Sequence, residues 1–133
     1  MTLLCSTAVT TAVTGSIQTP QTGFGKVTAL TIQAAFTYVA SAATSCDAYI
    51  QTSLDGGTTW ADIANFHFTT ASATNIVNVS GLTAVTTPTA ITDGSIANNT
   101  VQQGILGDRY RVKITSVGTY GAGTTLAVNV QAR

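Results

Sequence analysis

Charged residues are scarce in this chain: they make up 8% of its 133 residues, and glutamate is absent. An average soluble domain carries about 25% charged residues. Five acidic and five basic side chains balance to a net charge of zero, so no overall field attracts nucleic acid or an anionic membrane. We therefore expect neither nucleic acid nor a membrane among the partners.

The residues that build catalytic and metal centres are equally rare. His67 is the only histidine, and Cys5 and Cys46 are the only cysteines. A structural zinc site needs about four nitrogen or sulfur ligands, and a histidine-based triad needs a nucleophile and an orienting acid beside the histidine. We therefore expect no metal, no cofactor and no catalytic residue, with His67 facing solvent or an interface.

Long apolar runs are missing too. None approaches the ~18–20 residues of a transmembrane helix. The stretch from Met1 to Cys5 lacks the basic residues of a signal peptide, and two distant cysteines do not define a disulfide framework. We therefore expect synthesis in the cytoplasm with free thiols.

Threonine, in contrast, makes up about a fifth of the chain. Because β-branched residues favour strands, the polar positions are mainly hydroxyls on pleated surfaces. A surface so poor in charge offers little electrostatic resistance to association, which favours a protein that packs against neighbours in an assembly. An extracellular β-domain with a threonine-rich surface is the alternative.

Alternation of apolar and polar residues predicts strands along most of the chain. The clearest runs are Lys26–Val39, Cys46–Gln51, Asn75–Leu82, Tyr110–Ile114 and Leu126–Val130. Residues 1–14 are interpreted as an edge strand or an N-terminal arm, residues 15–25 as a loop, and residues 83–100 as a long crossover with a short strand near Ile91. We predict one all-β domain over residues 1–133, an antiparallel β-sandwich or jelly roll of about seven to nine strands without significant helix.

The stretch from Gln51 to Phe68 reads as a hairpin around a sharply defined turn. Its residues fit the Asp-box pattern Ser-x-Asp-x-Gly-x-Thr-Trp, with matches at Ser53, Asp55, Gly57, Thr59 and Trp60. In such a turn the aspartate accepts backbone amide hydrogens and glycine supplies positive φ. We expect Asp55 to hold the turn and Trp60 to fill the sandwich beneath it.

The Asp-box is also known from sialidases, so paired carboxylates need consideration. Glycosidases use two facing carboxyl groups, and Asp55 and Asp62 flank the same turn. Asp55 is better explained as the acceptor of its own turn, and the motif occurs once. We therefore predict a structural turn and no enzyme.

Two other groups of residues are candidates for contact with a partner. Arg109, Arg111 and Lys113 alternate on one strand face, which is typical of an exposed edge that resists pairing or of contact with an acidic patch on a partner subunit. Tyr49 and Tyr120 are the candidates for glycan contact, although nothing in the sequence brings their rings together.

Three segments resemble small structural proteins from virions of tailed bacteriophages: QTSLDGGTTWADIA at residues 51–64, GILGDRYRVK at 104–113 and GTYGAGTTL at 118–126. The resemblance implies a short all-β domain without enzymatic activity. It further implies a capsid decoration (cement) protein, often a homotrimer, that binds the lattice of the major capsid protein on the outside of the virion. A tail, baseplate or head-fibre component is the alternative, as is a carbohydrate-binding, receptor-contacting module.

Overall fold

The structure, a computed structural model, describes all residues from 1 to 133, and every regular element in it is a strand. The nine strands are β1 (Thr2–Ala8), β2 (Val13–Ile17), β3 (Gln21–Thr22), β4 (Ala29–Thr37), β5 (Ser45–Ser53), β6 (Ala61–Phe68), β7 (Ala73–Ser80), β8 (Arg109–Val117) and β9 (Thr125–Ala132). The predicted all-β class and strand number are confirmed. The chain contains no helical segment that could span a membrane.

The strands form two antiparallel sheets that face each other. The first sheet has the order β1-β9-β4-β7, and the second has the order β2-β8-β5-β6, with the short β3 also paired to β8. The pairs β1–β9, β2–β8, β4–β7 and β5–β6 are nested in the chain, as if one long hairpin had been wrapped into two layers. This wrapping is the jelly-roll topology, so the sandwich prediction is confirmed.

The core lies between the sheets and consists of 24 buried residues. The predicted alternation supplies most of it, because successive strand residues point to opposite faces of a sheet. On β4 the buried positions are Leu30, Ile32, Ala34 and Phe36, while β8 contributes Tyr110, Val112 and Ile114, and β9 contributes Leu126, Val128 and Val130.

The N-terminal region is more regular than its sequence indicates. The first predicted segment divides into β1, which pairs with β9 of the same chain, and β2, which pairs with β8. The expected loop at residues 15–25 contains the end of β2 and all of β3. Pairing to the long strand β8 overrides the turn signals there, and Gly15, at φ 63°, lies where the β2 register shifts.

The long connection at residues 81–108 covers the outer face and free edge of the second sheet. It contains no strand near Ile91, contrary to the prediction, and only an isolated bridge from Val101 to Ala64. Its backbone still bonds to β6, through Asp62 N–H to Thr92 O at 2.9 Å and Asn65 N–H to Thr100 O at 3.0 Å. β5, expected to be half-buried, is consequently buried on both faces.

A β-bulge in β6 decides which side chains reach that covered outer face. Ile50 lies opposite Ala64, but Gln51 lies opposite Asp62, so Ile63 is the extra residue. The bulge reverses the parity of the strand before it. Asp62 therefore points outward, which explains why it interrupts the apolar pattern of the hairpin.

Candidate interaction surfaces

The turn between β5 and β6 is held by hydrogen bonds from its own residues. The Asp55 carboxylate accepts backbone N–H groups of Thr58 at 3.1 Å and Thr59 at 2.8 Å, and it also accepts the Ser53 hydroxyl at 2.9 Å. Gly57 N–H donates to Ser53 Oγ at 2.9 Å. Gly57 has a φ of 96°, a backbone angle that residues other than glycine rarely adopt.

These hydrogen bonds make the Asp55 carboxyl a stronger acid. Hydrogen bonds from Thr59, reinforced by Ser53 and Thr58, lower the pKa of Asp55 to about 2 although the carboxyl is exposed. Each donor favours the charged carboxylate over the neutral acid. The Asp55 carboxylate is therefore held by hydrogen bonds from its own turn.

Trp60 is buried but lies outside the hydrophobic core. Its indole N–H donates to Gly57 O at 3.0 Å, and the Arg111 guanidinium carbon lies 4.1 Å from its ring centroid. The expected position inside the sandwich differs from this one because the bulge at Ile63 also turns Trp60 toward the outer face. There the ring forms a cation–π contact that packs the turn against β8.

The cation of Arg111 belongs to a network on the same outer face. Its Nε donates to Gln51 Oε1 at 2.8 Å, and Gln51 Nε2 donates to Asp93 Oδ1 at 2.7 Å and to Asp62 Oδ1 at 2.8 Å. Lys113 Nζ completes it with a 3.0 Å contact to Asp93. Burial lowers the pKa of Arg111, and the Gln51 hydrogen bond followed by Lys113 lowers the pKa of Asp93.

The three cations that were predicted to contact a partner, Arg109, Arg111 and Lys113, therefore bind groups of their own chain. Arg111 is only 8% exposed, and the loop that carries Asp93 folds over it. Arg109 donates to Gly56 O at 2.8 Å and pairs with Asp108 at 3.3 Å. Arg109 and Lys113 keep partly accessible edges, but neither presents an unpaired charge to a partner.

Asp62 is the residue whose role the sequence hid most completely. Its carboxylate accepts the backbone N–H groups of Gly94 at 2.8 Å, Ser95 at 2.9 Å and Ile96 at 3.1 Å, and the Thr92 hydroxyl at 2.7 Å. At 4% exposure it is enclosed by the crossover loop. Asp62 therefore fastens that loop to the sheet. The only sign of this role in the sequence was an acidic residue at a position where the alternation predicts an apolar one.

A second group of contacts fastens the same loop further along. Asp47 Oδ1 lies 2.8 Å from His67 Nδ1 and accepts Asn65 Nδ2–H at 3.2 Å. Asn99, at φ 54°, accepts His67 N–H at 3.0 Å and donates its own N–H to Asn65 at 2.9 Å. The structure gives His67 an orienting acid but no hydroxyl or thiol partner, so the group lacks the nucleophile that a triad requires.

Neither tyrosine considered for glycan contact offers a free ring. Tyr120 is 2% exposed in the core, with its hydroxyl donating to Thr69 O at 2.7 Å and its ring edge-on to Phe36. Burial raises its pKa to about 12. Tyr49 is 9% exposed beneath the outer network. Stacking on a sugar needs an accessible aromatic face, so these two residues do not form the proposed platform.

The thiols are buried as well. Cys5 and Cys46 are both unpaired, and burial raises the pKa of Cys5 to about 11 and that of Cys46 to about 12. A thiol that stays protonated is a poor nucleophile. No group of three or more histidine, cysteine or acidic side chains is arranged to hold a metal ion.

An apolar groove is the most distinctive exposed feature beside the turn. It has a volume of about 390 Å³ and is lined by Thr52, Leu54, Asp55, Thr59, Ala61, Ile91 and Ile105. Leu54 is 69% exposed on one side, and Ile91 from the crossover loop is 51% exposed on the other. The turn and the loop thus hold two aliphatic side chains open to solvent.

Comparison of the chain with protein-family models, with curated proteins and with solved structures finds no match.

Proposed function

We propose that this chain is a non-enzymatic structural protein of a tailed-bacteriophage virion, where it decorates the capsid by binding the lattice of the major capsid protein. The proposal combines the resemblance of residues 51–64, 104–113 and 118–126 with the surface that the fold presents. A jelly roll alone does not support it, because this fold hosts many functions.

One observation carries the proposal: each of the five acidic side chains binds a partner within the same chain. Asp62 and Asp93 bind the crossover loop and the cations of β8, Asp47 contacts His67, and Asp108 contacts Arg109. The surface therefore carries few uncompensated charges. Lys26 and Arg133 are exposed cations outside these acidic pairs, and hydroxyls, amides and aliphatic groups make up most of the rest. Such a surface gains little from long-range attraction and suits close packing in a neutral assembly.

The groove at Leu54 and Ile91 is the part of that surface best suited to bind a shell subunit. Burying a Leu or Ile side chain contributes roughly 1.5–3 kcal/mol, so the two anchors give only a modest affinity for one site. A lattice multiplies that affinity, because an oligomer that contacts several subunits binds each further site intramolecularly. A homotrimer is the oligomer that the resemblance favours.

Cosedimentation with capsids purified without their decoration protein tests the proposal. Wild-type chain is expected to saturate the shells, and Leu54→Asp is expected to lose most of that binding because it places a charge in the groove. Val117→Asp is the matched control, since Val117 is 53% exposed at the opposite end of β8. Failure of the wild-type chain to bind any shell would count against the capsid, and binding unchanged by Leu54→Asp would count against the groove.

A further inference from the structure

The two sheets have four edges, one of which is shared by β2 and the two-residue β3, and only one edge is a regular strand left open. The edge of β6 is covered by the crossover loop, with Gln102 N–H donating to Ile63 O at 2.8 Å. β1 and β2 each contain a register shift, and bulges of this kind discourage pairing with another chain. β7, in contrast, pairs with β4 without interruption over all eight of its residues.

The direction of the β7 backbone groups follows from its contacts. Leu30 of β4 lies opposite Val79, while Ala29 exchanges its bonds with Arg133 on the other side of β4. In an antiparallel ladder such groups alternate, so the odd residues of β7 bond to β4 and the even ones point away from the sheet. The even positions are Thr74, Ile76, Asn78 and Ser80.

The side chain of Gln103 already occupies one end of this edge. Ser80 N–H donates to Gln103 Oε1 at 2.6 Å, and Gln103 Nε2 donates to Asn78 O at 2.9 Å. Gly104 N–H adds a bond to Ser80 O at 2.8 Å. The amide thus binds β7 as a neighbouring strand would. Thr74, Ile76 and the Asn78 N–H are left unpaired.

The unpaired part of the edge has no feature that opposes a second strand. The sequence of β7, ATNIVNVS, contains no charge and no proline, which are two of the devices that protect edge strands. A groove of about 490 Å³ lies beside it, lined by Asn65, Phe66, Thr74, Asn75, Ile76, Val77 and Asn99, none of them charged. Ile76 itself is 62% exposed.

We propose that β7 pairs antiparallel with β7 of a second copy, about a two-fold axis at Ile76. Four bonds form in this register. Ile76 exchanges N–H and C=O bonds with Ile76 of the second copy, and the Asn78 N–H of each copy donates to the Thr74 C=O of the other. The Thr74 N–H forms no bond there, because Gln103 Nε2 already donates to the Asn78 C=O. The same patch serves both molecules, as a two-fold interface requires. With a net charge of zero, the two copies do not repel each other.

This pairing rests on the edge alone and does not depend on the proposed capsid role. It joins the first sheets of two molecules into one continuous eight-stranded sheet and brings the two exposed Ile76 side chains together. The interface is small, so the dimer is expected to be weak and concentration-dependent. It differs from the trimer favoured above, and the mass of the oligomer separates the two.

The test combines sedimentation with residue-resolved hydrogen exchange of the whole chain, from about 10 μM to about 1 mM, the range in which a small interface associates. The amides of Ile76 and Asn78 are expected to exchange quickly in the monomer and to become protected as a dimer forms. The amides of Asn75 and Val77 bond to β4 and should be protected throughout. Slower exchange on dimerisation at Ile76 and Asn78 alone, with no change at Asn75 and Val77, distinguishes edge pairing from any other contact.

Ile76→Lys should raise the dissociation constant about tenfold or more, because it places two ammonium groups together across the new strand pair. Val117→Lys, at a similarly exposed aliphatic position, should leave it unchanged. A chain that stays monomeric at the highest concentration would overturn the proposal. So would a dimer or trimer with fast exchange at Ile76, or protection of Ile76 that appears only when shell subunits are added.

Discussion

Replacing Asp62 by Asn should release the crossover loop while preserving the shape of the side chain. The carboxylate accepts hydrogen bonds from Gly94, Ser95 and Ile96, from the Thr92 hydroxyl, and from Gln51. An amide has one accepting oxygen, and its NH₂ group faces donors where the second carboxylate oxygen stood. Several buried N–H groups therefore lose their acceptor.

Each buried N–H group that is left without an acceptor lowers the free energy of unfolding by about 1–3 kcal/mol. Because part of the loop can move into water and recover some bonds, we expect Asp62→Asn to lower the free energy of unfolding by roughly 3–4 kcal/mol. Urea denaturation measures this loss. Hydrogen exchange locates it, since the amides of Gly94, Ser95 and Ile96 should lose protection while the core strands keep theirs.

Asp108→Asn is the matched control, because its partner Arg109 is also partly exposed and the side chain of Asp108 is 48% exposed. A surface pair of this kind contributes about 0–1 kcal/mol. An Asp62→Asn variant that costs no more stability than Asp108→Asn would refute the assigned role of Asp62. So would a variant that is destabilised as a whole without a selective loss of protection at residues 94–96.

Trp60 and Asp55 stabilise the turn between β5 and β6 from within, and Gly107 of the long connection packs against Ser53 at its start. Trp60→Phe should cost about 1 kcal/mol in urea denaturation through loss of its N–H bond, and Trp60→Ala about 3 kcal/mol through loss of packing as well; equal costs would contradict the assigned packing. The pKa of Asp55 is lowered to about 2 in the folded protein. Its contribution to stability is therefore complete above its unfolded pKa of about 4 and is lost as the pH falls through the folded pKa. If the melting temperature of Asp55→Asn drops as steeply as that of wild type between about pH 4 and about pH 2, the assigned role of Asp55 is contradicted. Gly107→Ala should prevent stable folding, because a Cβ there overlaps the Ser53 carbonyl, whereas Gly25→Ala meets only ordinary contacts and should leave the melting temperature within a few degrees.

The sequence predicted the parts of the fold that depend on local alternation. β4, β8 and β9 place their apolar residues at every second position, and the structure buries those residues in the core. Pattern alone did not indicate that the outer face of β5 would be covered, because a residue such as Gln51 looks solvent-facing until another segment lies over it. That segment, residues 81–108, has no periodicity, and its path depends on contacts distant in sequence.

The placement of Trp60 and Asp62 was missed for a related reason. A single bulged residue, Ile63, reverses the parity of everything before it in β6, and no turn or glycine signal marks the bulge. The Asp-box pattern indicated the contacts inside the turn because these are local. It could not indicate that Arg111 would lie over the indole, since that contact spans two strands far apart in the chain.

The scarcity of charge therefore has a structural consequence that composition alone did not reveal. A chain with five acids could leave all of them on its surface, but here Asp62 and Asp93 are placed where each organises loop or cation contacts inside the molecule. Fixing an irregular loop by buried charge-assisted bonds is costly unless all donors are satisfied, and here the bonds to Asp62 satisfy them. The same bonds that fasten residues 92–96 to the second sheet also bury the Asp62 carboxylate. The contacts of Asp62 thus hold the loop that places Ile91 beside Leu54 in the groove. The β7 edge is neutral for a separate reason, because its own sequence contains no charged residue, and both features favour association with other protein surfaces.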